Sequence, residues 1–172
     1  MIRASILAVV LQLWSLAALS SCPSDSEAQQ YLQAIQAMDW TRMEGMLAKD
    51  AVYTDPTMTY FDREPIHLVG PGRIVDFWRD SSEESGTGEI SYTTTQCFET
   101  AGYYVFNLDI DVQVAGAFWN VNKESINLPG KLLSIVRVMD GKIAEHHDYV
   151  EYSAALDVVN ELQQKYGVLT PD

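Results

Sequence analysis

Basic side chains are scarce in this chain: 11 Lys and Arg stand against 24 Asp and Glu, which leaves a formal charge of −13 over 172 residues. A surface of that sign repels phosphates, and no basic patch offsets it, so nucleic acid is excluded as a partner. Histidine is rarer still, with three in the chain, and two of them, His146 and His147, are adjacent in the sequence. Neighbours on a strand point to opposite faces, so no metal site of the usual spacing is expected. There is no Gly-rich phosphate loop and no serine nucleophile elbow. Of the two cysteines, Cys22 and Cys97, the second has no histidine near it in sequence, so it reads as a small apolar residue rather than a nucleophile. The length fits one domain with a proper core.

The longest apolar stretch, Ile6 to Leu19, follows Arg3 and is followed in turn by small residues. It is too short for a membrane span, which takes about 20 apolar residues, and reads as a secretory signal over residues 1–21. Loss of Arg3 with the signal takes the charge to −14. Leu19-Ser20-Ser21-Cys22 resembles a bacterial lipobox, which would make Cys22 the lipid-bearing first residue of the mature protein. Cleavage after Ala18-Leu19-Ser20 is the alternative, and it leaves Cys22 unmodified. An oxidising compartment would then permit a Cys22–Cys97 disulfide. The expected location is exported: periplasmic or lipid-anchored in the cell envelope of a bacterium, secreted otherwise, with the membrane touched only through the lipid.

From Ser24 the period is helical. Ser24-x-x-Glu27 fits a capping box, and Ala28, Tyr31, Leu32, Ile35 and Met38 recur at three- and four-residue steps. A second short helix is expected from Asp39, with Trp40, Met43, Met46 and Leu47 apolar, closed by Asp55-Pro56. A third should run from Pro71 to about Arg79, and Ser81 to Glu89 reads as a connector. Beyond Glu89 the period becomes two, with strands at 90–98, 103–114, 131–139 and 142–152 and a hairpin at Asp140-Gly141. Residues 115–127 are expected to form a strand with a long loop, and Ser153 to start a C-terminal helix that carries Ala155, Leu156, Val159 and Leu162 on one face. Helices first and antiparallel strands second imply α+β architecture.

Two local frames, Gln30-Tyr31-Leu32-Gln33-Ala34-Ile35 and Asp50-Ala51-Val52-Tyr53-Thr54-Asp55-Pro56, place Tyr31 and Asp55 24 residues apart. With Gly141-Lys142-Ile143-Ala144-Glu145-His146-His147-Asp148-Tyr149 on the final strand, they resemble the nuclear-transport-factor-2-like superfamily, which includes ketosteroid isomerases and SnoaL-like proteins. The resemblance implies a cone-shaped curved antiparallel sheet with N-terminal helices packed on its concave face, over residues 25–152, and a C-terminal helix and tail over 153–172. It implies fold more strongly than activity, because this fold carries isomerases, epoxide hydrolases, cyclases and non-catalytic binders.

In an isomerase-like site a carboxylate moves a proton next to a carbonyl while donors hold the oxyanion. By resemblance Asp55 would be that base and Tyr31 the donor. Read from the residues alone, Asp55 equally suits a turn before proline, and Tyr31 suits a core position with a satisfied hydroxyl. Where the isomerases carry a second donor, a protonated aspartate, this chain has Ser134. On the last strand His146 and Asp148 share one face, and the phase of the related cyclases and hydrolases turns that face inward. The epoxide hydrolase triad needs an arginine on the central strand, where this chain has Asn107-Leu108-Asp109-Ile110-Asp111. Asp109 and Asp111 read as a solvated face. Tyr53, Trp78, Tyr92 and Trp119 either line the pocket or are plain core.

The expected function is therefore cofactor-free acid–base chemistry, isomerase-, cyclase- or hydrolase-like, on a small hydrophobic molecule in an apolar pocket with Asp55, Tyr31, Asp148 and His146. The alternative is a non-catalytic envelope module that binds a small ligand or forms a homodimer.

Overall fold

The computed structural model describes residues 22–61 and 63–169; the expected signal segment lies outside them. The chain opens with α1, Glu27–Gln36, capped by Ser26, whose side chain accepts from Gln29 N at 3.3 Å. The cap thus falls two residues beyond the expected Ser24. One face of α1 buries Ala28, Tyr31, Leu32, Ala34 and Ile35, as the helical period requires. After a turn in which Met38 takes φ 52°, α2, Trp40–Met46, is capped by Asp39 through Arg42 N at 3.0 Å.

At Leu47 the chain leaves the helix for strand β1, Leu47–Asp55, which the sequence reading did not recognise. Met43, Met46 and Leu47 continue the helical spacing, whereas the alternation of buried Ala51, Tyr53 and Asp55 begins only after a register break between Leu47 and Val52. A 3-10 turn, Pro56–Phe61, leads to the short strand β2, Ile66–Val69, also unforeseen. Helix α3, Pro71–Ser85, starts with its proline at the first turn and stops at Gly86, which is left-handed at φ 61°. It is longer than expected: Ser82 and Ser85, read as a connector, sit inside the helix with their hydroxyls bonded back to the carbonyls of Trp78 and Ser81.

Strands β3, Glu89–Thr100, and β4, Tyr103–Ala115, meet at Ala101-Gly102, where both residues have positive φ. Strands β5, Ser125–Met139, and β6, Lys142–Glu151, meet at the expected Asp140-Gly141 hairpin, again with both φ positive. Residues expected as strand and loop before β5 hold a 3-10 turn, Gly116–Trp119, and β5 itself starts earlier than foreseen. Helix α4, Tyr152–Tyr166, closes the fold. Among the described residues no helix is long and apolar enough to cross a membrane.

The result is α+β: one curved, unclosed sheet of six strands in the order β2-β1-β6-β5-β4-β3, with helices against it. Its pairs are antiparallel except β1 with β6, which is parallel, because the chain returns to β1 only after crossing the whole of the sheet. The main core lies between α1, α2, α3 and the sheet, around Tyr31, Ile35, Met43, Ile74, Phe106 and Val136. A smaller cluster of Val114, Val121, Ile126, Leu128 and Val159 sits under α4.

Cys22 and Cys97 are joined as a disulfide with Cα atoms 5.5 Å apart. This is the pairing that the sequence left open beside lipidation of Cys22; a sulfur bonded to a second sulfur has no valence for a thioether.

Candidate active site

Strand β6 delivers the buried polar centre. Its alternation turns His146 and Asp148 inward, 1% and 2% exposed, and leaves His147 and Tyr149 on the other face, as expected. Register places Asp148 opposite Ser134 on β5, and Tyr53 of β1 opposite His146 across the parallel pair. Side chains from α1, α3, β1, β5 and β6 itself converge on one imidazole. His146 Nε2 lies 2.8 Å from Asp148 Oδ1 and 3.0 Å from Ser134 Oγ, while Nδ1 lies 3.2 Å from the Tyr31 hydroxyl. A carboxylate only accepts, so Nε2 donates to Asp148, and in the neutral ring Nδ1 accepts from Tyr31. Aromatic neighbours clamp the ring: Trp78 stacks parallel to it at 6.5 Å, Tyr53 lies at 5.0 Å, and Tyr31 meets it edge-on at 5.3 Å. The second carboxylate oxygen of Asp148 accepts from Tyr53 OH at 3.3 Å.

Asp55 ends β1 and is held differently. Its Oδ1 accepts from Thr57 N at 2.8 Å and from Thr57 Oγ1, and its Oδ2 accepts from Tyr152 OH at 2.9 Å. Thr57 Oγ1 in turn accepts from Val150 N at 3.0 Å, which ties the turn to β6. Asp55 thus organises the turn after β1 and is 3% exposed at the wall of a cavity.

That cavity, about 230 Å³, takes Asp55, Asp148, Tyr53, Trp78, Tyr92 and Tyr152 into its walls, with Phe77, Ile90, Ile110, Val112 and Leu132 among the apolar remainder. Burial, then the charge of Asp148, pushes the Tyr31, Tyr53 and Tyr92 hydroxyls above the ordinary range for phenols. Tyr152 is raised by burial and then by Asp55. All four hydroxyls therefore stay protonated, and those of Tyr31, Tyr53 and Tyr152 donate to the partners named. Trp78 Nε1 is buried and has no partner among the described residues.

Of the residues expected from sequence, Asp55, Asp148, Tyr53, Trp78 and Tyr92 meet at this cavity. His146 and Ser134 stand behind Asp148. Tyr31 departs from expectation: fully buried on α1, it bonds to His146 and forms no part of the cavity wall, so it is a partner of the histidine rather than a donor to a ligand. Trp119 departs as well. It packs with the cluster under α4 and against Phe61 and Phe118, one ring beyond the cavity residue Tyr152. Tyr152 and Thr57 were missed. Tyr152 continues the two-residue phase of Asp148 and Val150, and that phase was the signal that could have found it. Asp109 is exposed and paired with Lys131 at 2.6 Å, in keeping with a solvated face.

A family model described as SnoaL-like domain matches residues 28–146. No curated protein matches the sequence. Solved structures do, at low identity. A candidate SnoaL-like polyketide cyclase from Shewanella putrefaciens CN-32 superposes with TM-score 0.69 and 15% identity, over 78% of this chain and 94% of its own. A hypothetical protein with a ketosteroid isomerase-like fold from Catenulispora acidiphila DSM 44928, in complex with trimethylamine, gives 0.63 and 12% over 87% and 100%. An LEH-like epoxide hydrolase of M. tuberculosis gives 0.61 and 12% over 80% and 90%. At such identities these likenesses concern the fold.

Proposed function

The chain belongs to the SnoaL-like domain family, and on that premise we propose that it is a cofactor-independent acid–base enzyme for a small hydrophobic compound, with Asp148 as proton acceptor. The observation that carries this reading is the pair of buried carboxylates, Asp55 and Asp148, brought by two strands to one largely apolar cavity. Burying such groups costs free energy that a purely structural wall has no reason to spend twice in one place.

The two acids differ in what their partners leave free. A carboxylate offers about four lone-pair sites. Three donors engage Asp55, whereas His146 and Tyr53 engage Asp148, so Asp148 keeps more capacity to accept a proton from a ligand. His146, fixed by Tyr31 and Ser134, orients Asp148. In this reaction the electron pair of a C–H bond next to a carbonyl moves toward the oxygen as Asp148 takes the proton, and Asp148 returns a proton, exchangeable with solvent while the carboxyl holds it, at a second position. The Tyr92 hydroxyl, which lines the cavity and keeps its proton, is the donor suited to the oxygen that gains charge.

The test is proton exchange in D₂O, followed by NMR, on small hydrophobic carbonyl compounds. The Catenulispora acidiphila protein was solved with trimethylamine, which adds small amines to the binding panel. Wild-type protein is expected to wash deuterium into a bound compound, and Asp148→Asn to bind it without exchange. A compound that binds the cavity while wild-type protein neither exchanges its protons nor turns it over would replace the enzyme with a binding module.

A further inference from the structure

Cys22 has a single valence beyond its Cβ, and the two fates open to it are mutually exclusive: a lipid thioether or the bond to Cys97. Both cysteines are half-buried and pack against the main core, so the crosslink belongs to the packed body of the domain rather than to a loose tail. It joins the lead-in to α1 with β3, the edge strand farthest from β2. We infer that Cys22 serves as a half-cystine in an exported, unlipidated protein, and that the crosslink fixes the start of α1 on the sheet. Cytosolic thiols are kept reduced, so a packed disulfide of this kind belongs to an oxidising compartment.

The chemistry balances as thiol–disulfide exchange. Two thiols, Cys22 and Cys97, give up two protons and two electrons to a disulfide-bearing oxidant of that compartment, which leaves as a dithiol. The crosslink also bears on the site without depending on its activity. Cys22 lies just ahead of the Ser26 cap, and the same helix carries Tyr31 to His146 Nδ1. Holding the first turn of α1 against β3 therefore holds the residue that sets the histidine's orientation.

The experiment is production of the full chain, with its own first residues, in a bacterial host that exports proteins and processes lipoproteins. The protein is expected in the aqueous phase of a detergent partition, with a non-reduced mass lower than the reduced mass by two hydrogens and a Cys22–Cys97 linked peptide that disappears on reduction. Cys97→Ala should make Cys22 open to alkylation and lower Tm. An acylated Cys22 in the detergent phase would overturn the inference, as would two alkylatable thiols in the folded exported protein. It would equally fail if Cys97→Ala left Cys22 unreactive and Tm unchanged.

Discussion

At one corner of the cavity Asp55 is held by Thr57, two residues along the chain, and by Tyr152; at the other Asp148 is held by His146 and Tyr53, which are themselves fixed by Tyr31, Ser134 and Trp78. The first acid is anchored mainly by its own turn, and the second by a buried set drawn from α1, α3, β1 and β5. A locally anchored carboxylate tolerates change around it, whereas one supported by distant partners depends on the whole fold being in place. On the proposed mechanism the same contrast separates roles: Asp148, with spare acceptor capacity and an orienting histidine, takes the proton, and Asp55, with three donors already on it, has less room for one.

The largest expected effect breaks the comparison directly. Asp148→Asn should lower turnover by ~10²–10⁴-fold, the usual contribution of a general base, while Asp55→Asn should cost less than about tenfold. Equal losses in steady-state rates would erase the distinction between the two corners. Next, Tyr31→Phe leaves His146 Nδ1 buried without a donor and should destabilise by about 1–3 kcal/mol in denaturant melts. The matching change at the other corner, Tyr152→Phe, removes the hydroxyl that donates to Asp55 Oδ2 while Thr57 keeps its bonds to Oδ1, and belongs at the end of the scale, about 0.5–1.5 kcal/mol.

Between them lies an effect of pH. The Tyr31 and Tyr53 hydroxyls are raised well above 10.0 in the folded chain by burial and then by Asp148. Below pH 10 both folded and unfolded phenols are protonated, and the stabilising contribution is complete. As pH rises past 10 the unfolded chain sheds these protons while the folded chain keeps them, so stability falls by up to about 1.4 kcal/mol per pH unit for each such tyrosine. Alkaline melts of Tyr53→Phe should show a shallower fall than wild type.

Much of this arrangement could be read from sequence, and the exceptions share a cause. The α1 stripe, the Asp140-Gly141 hairpin and the inward phase of His146 and Asp148 are short-range patterns, and the structure agrees with each of them. Strand β1 was hidden because Met43, Met46 and Leu47 extend a helical spacing into it, and its pairing with β6 spans most of the chain. The serines of α3 disguised two helical turns as a connector. For the site, sequence brought Asp55, Asp148, Tyr53, Trp78 and Tyr92 to one place, yet it could not tell a residue that lines the cavity from one standing a layer behind it. Tyr31 and His146 look alike in pattern to Tyr53 and Asp148, and only the stacking of α1 and α3 on the sheet separates them. Trp119 is aromatic at a plausible spacing, but it follows β4 at the end where α4, not α3, covers the sheet.

The most direct test of the central claim is a crystal structure of the protein soaked with a compound that it binds in solution. The ligand should lie between Tyr53, Trp78 and Tyr92 with a polar or acidic group within hydrogen-bonding reach of Asp148. A ligand seated instead in the open groove beside Thr59, Tyr60 and Ser153, with the cavity at Asp148 unchanged, would contradict it.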